Sequence, residues 1–228
     1  MHKTFRRTVY HLPYPCMRHF TIRWAAYVFL LIPIIFSTGS TDLNSITTKK
    51  RYLIADGSKL YLKGTSNVNA FTCDCEDQYT EQTLEVERTG PYARFRNVDL
   101  HLRTKRFDCH NRKIDADMQK ALQADVYPVI KVSLLDARQP AKCVDGGCKD
   151  WFDVQAKVKL TIKNVTTEQQ IPAQAKISGP NRFQLKGAHT LLMSTYGVHP
   201  PEAMFGLIKV NDAITFHFDL IVQVYEAI

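Results

Sequence analysis

From Thr190 to Ile228 the chain reads TLLMSTYGVHPPEAMFGLIKVNDAITFHFDLIVQVYEAI, and this stretch constrains the fold more than any other. In its last part Ile214, Phe216, Phe218, Leu220, Val222 and Val224 alternate with Thr215, His217, Asp219, Ile221, Gln223 and Tyr225. Successive side chains of a strand point to opposite faces, so a period of two means one buried face. Before this strand come an apolar run, a Tyr-Gly turn, a Pro-Pro break and an Asn-Asp turn. Such a pattern builds a barrel wall and a flap over its mouth. The segment has no charged catalytic cluster, no metal-ligand spacing and no glycine-rich phosphate loop. A greasy container is therefore a better reading than a reaction centre.

Strand signals recur upstream. Arg51–Ala55 and Lys59–Asn69 flank Asp56-Gly57-Ser58, which predicts a hairpin. Gln82–Arg88 and Tyr92–Leu102 flank a turn at Thr89-Gly90-Pro91, and Pro128 introduces Val129–Leu135. Val154, Ala156, Val158, Leu160 and Ile162 share one face; Ile171, Ala173, Ala175 and Ile177 resume the alternation after a predicted turn at Asn164–Gln169. Gly179-Pro180-Asn181 turns the chain into Phe183–Ser194. Only Asn111–Asp125 breaks the pattern: Ile114, Met118, Ala121 and Leu122 fall at helical spacing, with Asp115 and Asp117 placed to complement the helix dipole. About eight strands and one amphipathic α-helix describe an all-β antiparallel sandwich or barrel. The polar stretch Ala137–Asp153 reads as an insertion at one end.

The first 40 residues stand apart: five Lys or Arg, no acidic residue, the apolar run Trp24–Phe36, then Ser37-Thr38-Gly39-Ser40. A basic start, a short apolar core and a small-residue end describe a secretory signal peptide over residues 1–40, with Met17 as an alternative start. The apolar run is shorter than the roughly 20 residues of a membrane span. Residues 41–228 then form one domain with 25 basic and 22 acidic side chains, net +3. That balance argues against nucleic acid as a partner.

An exported chain meets an oxidising compartment, where cysteines pair. Cys143 and Cys148 bracket a turn sequence, and Cys109 pairs with Cys73 or Cys75, leaving one thiol over. A metal site from Cys73, Cys75, Cys109 and His110 does not match zinc-ligand spacing.

Four segments, in order, carry a resemblance: LYLKGTSNVNAFTCDC (Leu60–Cys75), MQKALQADVYPVIKV (Met118–Val132), VKLTIKNVT (Val158–Thr166) and MSTYGVHPPEAMFGLIKVNDAITFHFDL (Met193–Leu220). Together they resemble the YceI-like family of exported bacterial lipid-binding proteins. The resemblance implies an eight-stranded antiparallel, lipocalin-like barrel, located in the periplasm or secreted, that holds a polyisoprenoid or quinone-like lipid and uses no other cofactor. An eight-stranded barrel is wide enough for one slender ligand. The expected cavity wall is Leu62, Val98, Leu100, Ile130, Val132, Val158, Leu160, Phe183, Leu185, Phe216, Phe218 and Leu220, with His189 on the inward phase and a flap at Tyr196, Met204 and Phe205. Transient membrane contact and a homodimer are compatible with this reading.

The sequence has no G-x-S-x-G elbow, and the acidic cluster Asp74, Glu76 and Asp77 lacks EF-hand spacing; the resemblance implies a carrier rather than an enzyme. Two other classes fit less well: a thiol-dependent redox protein using Cys73, Cys75 or Cys109 with His110, and an interaction module with a filled core.

Overall fold

A computed structural model describes residues 46–227; the expected leader, residues 1–40, lies outside them. Strand β1 (Ile46–Ile54) leads into β2 (Lys59–Thr65), which turns at Ser66–Asn69 into β3 (Ala70–Cys75). Strands β4 (Gln82–Thr89) and β5 (Tyr92–Arg96) form the next hairpin, followed by β6 (Asp99–Arg103). One helical turn (Thr104–Arg106), the short β7 (Phe107–Asp108) and helix α1 (Arg112–Leu122) precede β8 (Val129–Arg138). Then come the long strands β9 (Phe152–Ile162), β10 (Val165–Gly179) and β11 (Arg182–Leu192). The flap holds β12 (Glu202–Ala203) and β13 (Ile208–Lys209), and β14 (Ala213–Glu226) completes the fold.

Backbone pairing runs β1-β4-β5-β8-β9-β10-β11-β14, and β14 also pairs with β1. Eight antiparallel strands thus close into a ring, the barrel the resemblance implied. Closure removes the exposed sheet edges that an open sheet would have to protect.

The expected hairpin at Asp56-Gly57-Ser58 does not form. β1 and β2 do not pair with each other; both pair with β14, β1 along Val222–Glu226 and β2 along Thr215–Asp219. They are one kinked strand. Gly57, at φ +88°, bends the chain, and Ser58 keeps the ladder whole: its Oγ accepts the Ile221 N–H at 2.9 Å while Ala55 N–H donates to the Ile221 carbonyl at 2.8 Å. Turn chemistry marks where a chain bends, not how far.

The predicted single strand Tyr92–Leu102 is kinked in the same way. Asn97 takes φ +61°, so β5 pairs with the far part of β8 (Asp136–Arg138) and β6 with its near part (Val129–Ser133). The predicted turn at Asn164–Gln169 shrinks to Lys163-Asn164, and β10 starts at Val165. The alternation was hidden because Thr167 and Gln169 occupy inward positions: they pair directly with the buried Leu160 and Val158. The segment expected as an insertion spans residues 139–151 between β8 and β9, a short helical turn closed by the Cys143–Cys148 disulfide.

α1 begins where Asn111 caps it, its Oδ1 accepting the N–H groups of Lys113 and Ile114 at 3.0 and 3.4 Å. It ends at Gln123, in the left-handed conformation. Ile114, Met118, Ala121 and Leu122 face the barrel. The helix, the Ser66–Asn69 turn, the Lys163-Asn164 turn and residues 193–212 gather at one end. Two core clusters follow: Leu62, Leu102, Phe107, Ile130, Leu160, Ile162 and Ile214 at that end, and Tyr52, Leu84 and Val86 at the other.

Candidate functional site

Beneath α1 the barrel holds a cavity of about 260 Å³. Its floor and wall are Leu62, Phe71, Phe107, Ile130, Ile162, Leu191, Ile214 and Phe216 from the strands, and its roof is Ile114, Met118, Ala121 and Leu122 from the helix. Val68, Met204, Ile208 and Val210 form part of the mouth. Polar side chains stand mainly at the exposed rim: Asn69, Asn111, Lys113 and Glu202. This division, apolar inside and polar outside, suits a ligand whose tail is desolvated while its head stays wet.

One polar group reaches the inside. Tyr196 is 1 % exposed and lines the cavity. Its hydroxyl lies 2.7 Å from Thr167 Oγ1 and accepts from Gln169 Nε2 at 3.4 Å; Gln169 also donates to Thr167 at 2.9 Å. The two inward polar residues of β10 are thereby satisfied, as buried polar groups require.

The aromatic wall depends on a missing side chain. A Cβ at Gly64 would stand 2.3 Å from the Phe71 ring and 2.7 Å from Ile214. Only glycine lets the Phe71 ring approach β2 this closely.

Of the residues expected to line a lipid cavity, Leu62, Ile130, Tyr196, Met204 and Phe216 border this one. Leu100, Val132 and Leu160 pack in the core beside it, and Val158 is buried in β9. Val98 packs on the cluster at the opposite end. Phe183, Leu185, Phe218 and Leu220 run along β11 and β14 toward that end, half-buried. His189 sits opposite Phe216, half-buried, with no side-chain hydrogen bond among the described residues, and burial lowers its pKa. Phe205 projects fully into solvent. The helix residues that roof the cavity were legible as an apolar face at i, i+4 spacing, but a core-packing role read the same way. Phe71 carried no signal, because its place depends on Gly64.

Cys73 is bonded to Cys109, and Cys143 to Cys148. Among the described residues Cys75 has no disulfide partner, and its pKa is pushed up to about 11, first by burial and then by the charge of Asp77. A reactive thiol needs the opposite shift. His110 lies 2.9 Å from Asp74 on an exposed surface, away from the cavity wall.

The model of the YceI-like domain matches residues 61–222. Among solved structures, a polyisoprenoid binding domain from Saccharophagus degradans, implicated in plant cell wall breakdown, superposes with TM-score 0.53 at 13 % identity, covering 76 % of this chain and 97 % of that one. BcnA of Burkholderia cenocepacia superposes with TM-score 0.51 at 15 % identity, covering 72 % and 95 %. At such identities the likeness is one of fold. No curated protein sequence matches this chain. With the family match spanning most of the barrel, this chain belongs to the YceI-like domain family.

Proposed function

We propose that this protein is a binding protein for a long apolar lipid of the isoprenoid or quinone-like class, held with its tail in the cavity beneath α1 and its head at the mouth. The carrying observation is the cavity itself: about 260 Å³, walled by aliphatic and aromatic side chains, with its charges at the rim. A structural relative is described as polyisoprenoid binding, which supports the ligand class. Each methylene moved from water contributes about 0.8 kcal/mol, so such a ligand needs few polar contacts. The volume falls just under the roughly 300–1,000 Å³ of sites for drug-sized ligands. The cavity therefore takes one segment of a long chain.

The two disulfides support an oxidising, extracytoplasmic compartment, where the protein would carry, store or shield its lipid. The test is native mass spectrometry of the purified protein, followed by organic extraction and identification of what is released. A co-purifying prenyl lipid or quinone is the expected result. An empty protein that also refuses added polyprenyl lipids would sink the proposal.

A further inference from the structure

The flap presents apolar side chains to water. Met204 is 57 % exposed, Leu207 70 % and Phe205 fully. Val68, at the tip of the β2–β3 turn, is 62 % exposed. The two tips are tied together by Asn67: its N–H donates to the Lys209 carbonyl at 3.1 Å, its Nδ2 donates to the Leu207 carbonyl at 2.9 Å, and its Oδ1 accepts the Lys209 N–H at 2.9 Å. Single exposed apolar residues need no explanation, but four on two linked tips form a patch.

The backbone holds them there under strain. Met204, Phe205 and Gly206 take φ of +51°, +58° and +85° in succession. For bulky non-glycine residues the left-handed region is disfavoured, and such strain persists where function uses it. Here its effect is to turn Phe205 outward.

The patch is continuous with the cavity, since Val68 and Met204 also line it. It is electrically neutral as well. No charge lies between Ala203 and Ile208, and the flanking Glu202 and Lys209 pair with each other at 3.3 Å. A neutral, apolar, mouth-side surface matches the interfacial zone of a phospholipid bilayer rather than an ionic partner.

We propose that the Ser66–Asn69 turn and the Met204–Leu207 tip form a bilayer-docking surface, which seats the cavity mouth in the outer acyl region so that a lipid passes into it without crossing water. The proposal rests on the reading of the cavity as a lipid site.

The test is flotation of the protein, its N-terminus established by intact mass, with vesicles of phosphatidylcholine alone and of phosphatidylcholine with phosphatidylglycerol. The variants are Phe205→Glu and Leu207→Glu, neither of which lines the cavity, and Phe205→Trp as a reporter. The wild type should float with both compositions and at high salt. Each Glu variant should bind roughly tenfold less or weaker still. The indole emission that Phe205→Trp adds to the wild-type spectrum should shift to the blue on vesicle addition and be quenched by brominated acyl chains. The idea is overturned if the wild type does not float, if high salt releases it, or if Phe205→Trp reports no apolar environment. It is equally overturned if light scattering finds a dimer that Phe205→Glu dissolves, which would give the tips to a second copy. Loading of polyprenol from detergent micelles is read separately: variants that load normally but fail to extract lipid from vesicles support docking, whereas flotation without any micelle loading supports docking and overturns the lipid reading of the cavity.

Discussion

The carboxylate of Asp77 joins the barrel wall to Arg103 across a seam where the backbone ladder is broken. β7 pairs with β3 and β6 pairs with β8, but among the described residues neither β3 nor β7 pairs directly with β6. Asp77, just past β3, accepts the Arg103 backbone N–H at 2.8 Å and the Arg103 Nε–H at 2.7 Å, and its side chain is only 2 % exposed. One side chain does what ladder bonds do elsewhere in the ring.

Asp77→Asn should therefore loosen the cavity end. Burial alone would raise the Asp77 pKa, but the hydrogen bonds and charge of Arg103 outweigh it and hold the carboxyl below its ordinary range. A depressed folded pKa gives stability that is present above the unfolded value, about 3.9, and lost as pH falls through the folded one. The variant should lose about 1.5–3 kcal/mol at neutral pH, the usual contribution of hydrogen bonds to a charged group, and its acid limb should flatten. Urea titrations between neutral pH and strongly acid pH measure both effects; an unchanged acid limb would rule the staple out.

Gly64→Ala should shrink the cavity and destabilise the fold together. The new Cβ forces the Phe71 ring off β2, and its free side is the cavity it already lines. Overpacking of this kind costs about 1–3 kcal/mol. Thermal unfolding gives the stability loss, and the stoichiometry of polyprenol uptake from micelles gives the lost volume. Full uptake by a folded Gly64→Ala protein would show that Phe71 does not limit the site.

The two disulfides should differ in their contribution. Cys73–Cys109 links residues 36 apart and Cys143–Cys148 residues 5 apart; loop-closure entropy assigns them about 4 and about 2 kcal/mol. Cys73→Ala should thus lower the melting temperature more than Cys143→Ala. Cys75, with its raised pKa, should label slowly in the folded protein at neutral pH and faster as pH rises toward 11. Peptide mapping after timed alkylation checks it, and rapid labelling of Cys75 at neutral pH would contradict the assigned environment.

His189 should make the fold weaken in mild acid. Burial lowers its folded pKa below the ordinary 6.5, so the unfolded state binds the proton first and stability falls as pH drops through about 6.5. His189→Leu should shrink that limb to the part left by His217, whose pKa burial also lowers, while keeping neutral-pH stability within about 1.5 kcal/mol. The histidine limb, to which His189 and His217 contribute, and the carboxylate limb, to which Asp77 and Asp99 contribute, separate by pH in the same titration.

Much of the barrel was legible. Val158, Leu160 and Ile162 alternate with lysines and threonine in a way that only a half-buried strand explains, and they are buried as expected. Ile114, Met118 and Leu122 announced a helix with one apolar face, and that face covers the barrel mouth. The first part of β10 was not legible, because Thr167 and Gln169 put polar groups on the inward phase and their partner, Tyr196, is 29 residues from Thr167.

Local periodicity and ordered motifs were enough to place most strands, the helix, their buried faces and the family, because each of these is written in residues close together along the chain. Folding in three dimensions settled the rest: β1 and β2 are one kinked strand along β14, the ring closes, and the open space lies under α1 while Phe183, Leu185 and Leu220 run toward the other end. Those outcomes depend on register and on contacts such as Gly64 with Phe71 and Asp77 with Arg103. A period of two says which face a side chain takes; it does not say which strand lies opposite, or how much room is left between them.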